Sequence, residues 1–415
     1  MATLGHEQPG QRSRASRPDP SSQTTLADAT PFRIDVSDAA IADLKERLAR
    51  TRWPAPTPGE GWTRGVPIDY LRELCSYWQD HYDWRSYEAK FNEHQQFTLS
   101  IDGQTIHFLV VRSAEPVARP LMLIHGWPGS FVEFIDVIAP LSDPRAHGGD
   151  PKDAFELVIP SIPGHGFSMP LSEAGWTHQR IAGAFTKLMK RLGHERYGVQ
   201  GGDAGSAIAP WLGRLDSDHV AGVHTNALVQ IPPLPKMIVA PLISSKAERK
   251  RLALFKRYYR EMMGYAQVQG TRPKTLSYGL NDSPVGQLAW ILEKFKEWVD
   301  PSAALPEDAV DRDKILTNAS LYWFTATAGS SANLYYETLH DPQLKKTPPK
   351  SPVPTGVLVS TQDVTIRRWA ERENNIVHWT ELDHGGHFAA LEAPDAFVRD
   401  VREFFRGISF ESARH

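Results

Sequence analysis

The chain has 415 residues, with 46 Lys and Arg against 49 Asp and Glu, a formal charge of −3 and one cysteine, Cys75. That length allows two to three domains with a large core, at about 150 residues each, and a near-neutral balance without a basic block excludes a dedicated nucleic-acid binder, whose affinity rests on clustered cations. A lone cysteine excludes intramolecular disulfides and four-cysteine zinc sites, so Cys75, set in an apolar pattern, reads as a small core residue.

Met1 to Thr30 are rich in Ser, Pro, Gly, Gln and Arg without periodicity and read as a disordered tail. No stretch has the apolar length of a secretory signal or a membrane span, so the expectation is a soluble, cytoplasmic protein without a membrane anchor. From Ala39 to Arg50, Ile41, Leu44 and Leu48 recur at helical spacing behind Ser37, a natural N-cap. A second helix follows Pro67, with Leu71, Leu74, Cys75 and Trp78 on one face. Gln96 to Ile101 and Thr105 to Arg112 then read as a hairpin about Asp102-Gly103.

After Pro120 short apolar runs alternate with helical patterns. Leu121 to Ile124, Phe155 to Ile162, Tyr197 to Val199, Val220 to His224, Val357 to Ser360 and Ile376 to Leu382 read as strands of an α/β fold with a mostly parallel sheet. A helical stretch rich in Tyr, Trp and Met, from about Pro232 to Pro349, interrupts the rhythm and is too long for a loop, so it reads as an inserted cap. The expected division is a tail (1–30), an N-terminal helical and hairpin region (31–118), a core in two parts (119–231 and 350–415) and the cap (232–349).

The segment Gly201-Gly202-Asp203-Ala204-Gly205 ends a strand and opens a helix, the form of a nucleophile elbow with Asp203 at its apex. Asp in a Gly-rich turn is common and by itself carries no function; the surrounding motifs decide. A carboxylate is ionised at neutral pH and needs no base to attack an sp³ carbon, but the resulting ester needs a base and an oxyanion hole for hydrolysis. His125-Gly126-Trp127-Pro128-Gly129-Ser130 follows the strand from which this architecture supplies an oxyanion-hole amide, so the backbone N–H groups of Trp127 and Ala204 are the candidate donors. In Asp383-His384-Gly385-Gly386-His387, after the last strand, either His384 or His387 fits the base. Asp363, after the preceding strand, fits the acid that orients it, with Asp383 competing. Pro210, six residues past Ala204, removes a backbone donor from the post-elbow helix and should kink it.

With these residues in place, the chain resembles the microsomal-type epoxide hydrolases from about Pro31 to Gly407. His125 to Ser130 with Phe131, Glu133 and Phe134 is similar to that family's HGWPGS segment, Gly201 to Gly205 to its GGDWG, and Gly385 to Ala390 to its GGHFAA. Leu280 to Gly286 and Trp290 to Phe295 also look typical of the family. The resemblance implies an α/β-hydrolase core with a helical cap, His387 as base, Asp363 as acid, and two cap tyrosines that protonate the epoxide oxygen. By motif position these are Tyr265 and Tyr335, with Tyr336 a rival; Tyr258, Tyr259, Tyr278 and Tyr322 read equally well as aromatic core. It implies a small hydrophobic epoxide and water as partners, with no cofactor or metal, and leaves a homodimer open. Ala204 departs from the family, which usually has Trp there, and should open one wall of the pocket. A dehalogenase using Asp203, His387 and Asp363 is the rival within enzymes, weakened because Ala204 offers no ring N–H for a departing halide. A non-catalytic fold of this class that binds a ligand under the cap is the rival outside them.

Overall fold

The computed structural model describes residues 28–59, 61–229 and 244–411. Most of the expected tail and the first residues of the expected insert therefore lie outside the described residues. Nine strands form one sheet: β1 Thr30–Phe32, β2 Gln95–Ile101, β3 Gln104–Val111, β4 Arg119–Ile124, β5 Phe155–Pro160, β6 Tyr197–Gly202, β7 Val220–Asn226, β8 Pro354–Val359 and β9 Asn375–Glu381. Their order is β1-β2-β3-β5-β4-β6-β7-β8-β9. The first three are antiparallel, β3 runs antiparallel to β5, and the six from β5 to β9 are parallel. At the hairpin tip Asp102 and Gly103 both take positive φ, 53° and 79°, the two-residue turn whose twist matches the flanking strands.

Thr30, expected at the end of the tail, instead opens β1 and pairs with Thr98. Its partner lies 68 residues away, so nothing local marks the strand. Ser37 caps α1 (Asp38–Ala49) by accepting from the Ala40 N–H, and α2 (Ile68–Asp80) buries Leu71, Leu74, Cys75 and Trp78 as expected. Burial pushes the Cys75 thiol up to about 12, which leaves it an unreactive core group. A further helix, α3 (Trp84–Phe91), follows unannounced. Its Glu88 is buried and accepts from the Val36 N–H at 2.7 Å and the Trp84 indole at 3.2 Å.

The parallel strands β4 to β8 are buried on both faces, which is why they read as continuous apolar runs, whereas β9, at the sheet edge, is only partly buried. Leu121 and Leu123 of β4 join one cluster, with Phe397, Val401 and Phe404; Met122 and Ile124 join the other, with Phe185, Leu188, Ile208 and Leu212. The second cluster rests on α5 (His178–Arg191) and α6 (Ala204–Leu215), after the short α4 (Ile138–Ser142). Pro210 lies inside α6 without ending it.

Between β7 and β8 the described chain is helical: α7 Lys246–Arg257, a π-helical turn at Tyr258–Met262, α8 Gly264–Thr271, α9 Pro273–Asp282, α10 Pro284–Trp298, α11 Arg312–Phe324, α12 Thr327–Ser331 and α13 Asn333–His340. After β8 come α14 (Arg367–Ala370), β9, α15 (Ala389–Glu392) and α16 (Pro394–Arg406). Among the described residues no helix is long and apolar enough to cross a membrane.

Candidate active site

β6 delivers Asp203 to its C-terminal end, and α6 starts at the next residue. Asp203 holds φ 50° and ψ −120°, a strained conformation for a residue with a side chain. Gly205 allows the turn: a Cβ there would lie 2.1 Å from the Ile124 carbonyl oxygen. The two carboxylate oxygens of Asp203 have separate surroundings. Oδ1 accepts from the Trp127 N–H at 2.9 Å, and the Ala204 N–H also bonds to the carboxylate. Oδ2 stands 3.3 Å from His387 Nε2. Burial favours the protonated acid, but His387 and the two amides outweigh it and hold the Asp203 carboxyl below the usual range.

The loop after β4 supplies the amide side. His125 is fully buried and neutral, pushed down to about 4 by burial. Its Nδ1 pairs with the Gly126 carbonyl at 2.9 Å and its Nε2 accepts from the Ile162 N–H at 3.2 Å, so it props the loop. Glu133, quoted in the sequence only as part of a motif, reaches into the same region. Burial pushes its carboxyl up to about 8, opposed by the charge of His387 and reinforced by that of Asp203. A Cβ at position 129 would fall 1.4 Å from Glu133 Oε1; glycine there makes room for the carboxyl.

His387 is set by its backbone. Its N–H donates to the Trp298 carbonyl at 2.8 Å, tying the loop after β9 to the end of α10. Glu392 binds the same junction through the N–H groups of Gly386, Phe388 and Asp300. Burial lowers the His387 pKa, but the Asp203 carboxylate more than restores it, and the net shift is upward. His384 instead pairs with Asp383 at 2.7 Å on the surface, both side chains largely exposed. Asp363, in the loop after β8, is buried; its Oδ1 accepts from the Thr365 N–H at 2.6 Å and its Oδ2 has no hydrogen-bond partner. Burial raises the Asp363 pKa, with His387 acting on it only through its charge. The expected hydrogen bond from the imidazole to Asp363 is therefore not made.

Asp203, His387, Asp363, Tyr265 and Tyr335 line one cavity of about 1250 Å³. The Tyr265 ring stacks on Trp127 (centroids 5.1 Å apart, planes 7° from parallel), and Tyr335 meets Trp127 edge-on at 5.7 Å. Burial raises both phenols well above 10, so both are neutral donors. Tyr336 is more exposed and stacks on His340. Tyr322 is buried and donates to the Gly129 carbonyl at 2.7 Å, a core role, while Tyr259 and Tyr278 are exposed. Tyr258 is neither: its hydroxyl is 2.9 Å from that of Tyr265. Ala204 borders the cavity beside Ser206, Ala207, His178 and Thr338. His178, also in the cavity lining, is pushed down to about 4 by burial and is a neutral ring. Sequence reasoning missed Glu133, His178 and Glu392, because burial among distant residues, not any local pattern, gives them their positions. Among the described residues no group of three or more His, Cys, Asp or Glu could hold a metal ion.

Residues 29–134 match the family model for the epoxide hydrolase N terminus and residues 119–280 that for the alpha/beta hydrolase fold. A chain of Stigmatella aurantiaca is 42% identical over 381 residues, covering 91% of this chain and 84% of that one. Epoxide hydrolase 1 of Sus scrofa is 34% identical over 398 residues, covering 90% and 88%. Among solved structures, the juvenile hormone epoxide hydrolase of Bombyx mori superposes with a TM-score of 0.82 at 31% identity, covering 91% of this chain and 94% of that one. The Aspergillus niger epoxide hydrolase gives 0.80 at 32%, covering 94% and 98%. With this fold, and relatives of that identity aligned over most of both chains, the protein belongs to the epoxide hydrolase family.

Proposed function

We propose that this protein opens an epoxide to a vicinal diol through a covalent ester on Asp203. The observation that carries the reading is the division of labour at the Asp203 carboxylate. One oxygen, Oδ1, is held by the Trp127 amide, which leaves Oδ2, beside His387, as the attacking atom. Tyr265 and Tyr335 face the same cavity and donate to the epoxide oxygen. As Asp203 Oδ2 bonds to the ring carbon, the C–O bond breaks and the oxygen takes a phenolic proton.

Alkylation also arms the second step. The charge that raises the His387 pKa is the Asp203 carboxylate, and the ester abolishes it. With that charge gone the imidazole is neutral, and it takes a proton from water. The hydroxide attacks Asp203 Cγ, and the negative charge gathers on Oδ1, which the Trp127 amide already holds, with the Ala204 amide as the second donor of the oxyanion hole. The tetrahedral intermediate expels the diol oxygen, which takes its proton from His387. Asp363 is the acid that orients His387, its unsatisfied Oδ2 closing on the imidazole as that ring gains charge.

We take the helices between β7 and β8 as a cap over the core, because Tyr265, Trp298 and Tyr335 bring it to Trp127 and His387. The substrate is a hydrophobic epoxide with room beside Ala204. Mixing excess enzyme with styrene oxide and quenching within milliseconds tests the reading: the Asp203 peptide gains the mass of the epoxide, and Asp203→Asn shows no adduct. Turnover without any adduct on Asp203 overturns it.

A further inference from the structure

Lys294, on α10, has 2% of its surface exposed, a rare state for a side chain that ordinarily keeps its ammonium in water. It is ion-paired to Glu293 Oε1 at 2.7 Å and Glu297 Oε2 at 2.5 Å, yet those side chains are 34% and 26% exposed. Both carboxylates reach solvent while the ammonium does not, so the ion pairs alone do not require its burial. What the burial achieves is contact with aromatic faces. Nζ stands over the Tyr265 ring, 4.7 Å from its centroid, and 5.8 Å from that of Trp298. It is a cation behind the phenol, set among neither the lining of the cavity nor the reacting atoms.

We propose that Lys294 is a positioning residue for ring opening: its charge over the Tyr265 ring stabilises the phenolate that forms when Tyr265 gives its proton to the epoxide oxygen. The proposal rests on Tyr265 being the acid. In that step the Asp203 Oδ2–carbon bond forms and the epoxide C–O bond breaks, its electron pair staying on oxygen. That oxygen takes the Tyr265 proton, and the O–H pair remains on the ring as phenolate. Ester hydrolysis restores the balance: Asp203 leaves the tetrahedral intermediate as a carboxylic acid, and its proton returns to Tyr265. A cation over a neutral phenol feels only the ring quadrupole, whereas over a phenolate it feels a full opposite charge. The attraction therefore grows along the reaction coordinate and lowers the barrier to alkylation in particular.

The test is a double-mutant cycle read by rapid quench, which separates formation of the Asp203 ester from its hydrolysis. Lys294→Met is combined with Glu297→Gln, so that the more buried of the two partner carboxylates is not left charged and unpaired, and Glu297→Gln alone is the reference. Relative to it, alkylation slows about tenfold, the order expected of a desolvated cation–ring contact, while ester hydrolysis changes less than about twofold. Lys294→Arg keeps most of the alkylation rate, and in a Tyr265→Phe background the Lys294 change costs nothing more. Lys294→Gln in the same background serves if the Met variant does not fold. An unchanged alkylation rate, or an equal loss when Tyr265 is already Phe, overturns the proposal while leaving the acid assignment intact. Tyr265→Phe that alkylates at the wild-type rate overturns that assignment instead, and the proposal with it.

Discussion

Asp400, on α16, ties the helix after the His387 loop to two strands of the sheet. Its Oδ2 accepts from His224 Nε2 on β7 at 2.8 Å, and its Oδ1 from His378 Nε2 at 2.7 Å and Thr380 Oγ1 at 2.5 Å on β9. The side chain is 3% exposed. Against the cost of burial, the hydrogen bonds and charge of His224, with Thr380 and His378, bring the Asp400 carboxyl from 3.8 to about 2. That lowering, at about 1.4 kcal/mol per tenfold change in proton affinity, makes the ionised carboxylate worth about 2 kcal/mol. The folded pKa is depressed, so this stability is present above about pH 4 and is lost as the pH falls towards 2. Asp400→Asn keeps the shape and can still accept from His378 and Thr380. It removes the charge together with the acceptor for His224 Nε2, and the expected cost at pH 7 is at least about 2 kcal/mol, or some 2–3 °C in Tm for a chain of this length. Scanning calorimetry of wild type and variant from pH 3 to 8 reads it directly. The gap should narrow as the pH falls below 4, and kcat/KM at 25 °C should stay within about twofold, since Asp400 does not line the cavity. A gap below about 0.5 kcal/mol at pH 7, or one that widens in acid, would refute the reasoning.

The same logic yields three further expectations. His387→Gln should stop hydrolysis but not alkylation: the enzyme takes up one equivalent of epoxide, intact mass shows the adduct, and steady-state turnover falls by about 10³; a variant that turns over without adduct contradicts the role of His387. Ala204→Trp should fill part of the cavity that Ala204 lines, lowering kcat/KM for bulky epoxides roughly 10- to 100-fold while sparing propylene oxide; equal effects on both would place the substrate elsewhere. Glu133 has its folded pKa raised to about 8, so wild type is fully stabilised below the unfolded value near 4.5 and loses stability as the pH rises through 8. Glu133→Gln lacks that slope, and its Tm should gain on wild type between pH 5 and 9; parallel curves would show that the carboxyl is not held protonated.

The strands and the elbow were legible because their signals are local. Leu121 to Ile124 is apolar throughout because both faces of β4 are buried, and Gly201 and Gly205 must be glycine because a Cβ would lie 2.2 Å from the Gly205 carbonyl oxygen in the first case and 2.1 Å from that of Ile124 in the second. The sheet order was not legible, since β1 pairs across 68 residues and β3 adds to β5 over the top of β4 in sequence. The choice between His384 and His387 needed three dimensions: each has an acid beside it, but the Asp383 partner of His384 is on the surface, while His387 meets Asp203. Tyr335 and Tyr336 differ in the same way, one lining the cavity and the other stacked on His340. Glu133 stood in a motif but gave no sign of burial, because that depends on the absent side chain of Gly129. Lys294 reads in sequence as one more charge between two glutamates; only the packing of α10 sets it over Tyr265.

The central claim is that Asp203, not water, attacks the epoxide. A single turnover of excess enzyme in ¹⁸O-water, with mass analysis of the diol and of the Asp203 peptide, tests it most directly. The account predicts a first-turnover diol whose new oxygen is ¹⁶O from the enzyme, with ¹⁸O appearing in the Asp203 carboxylate. A first-turnover diol that carries ¹⁸O beside an unlabelled Asp203 would contradict it.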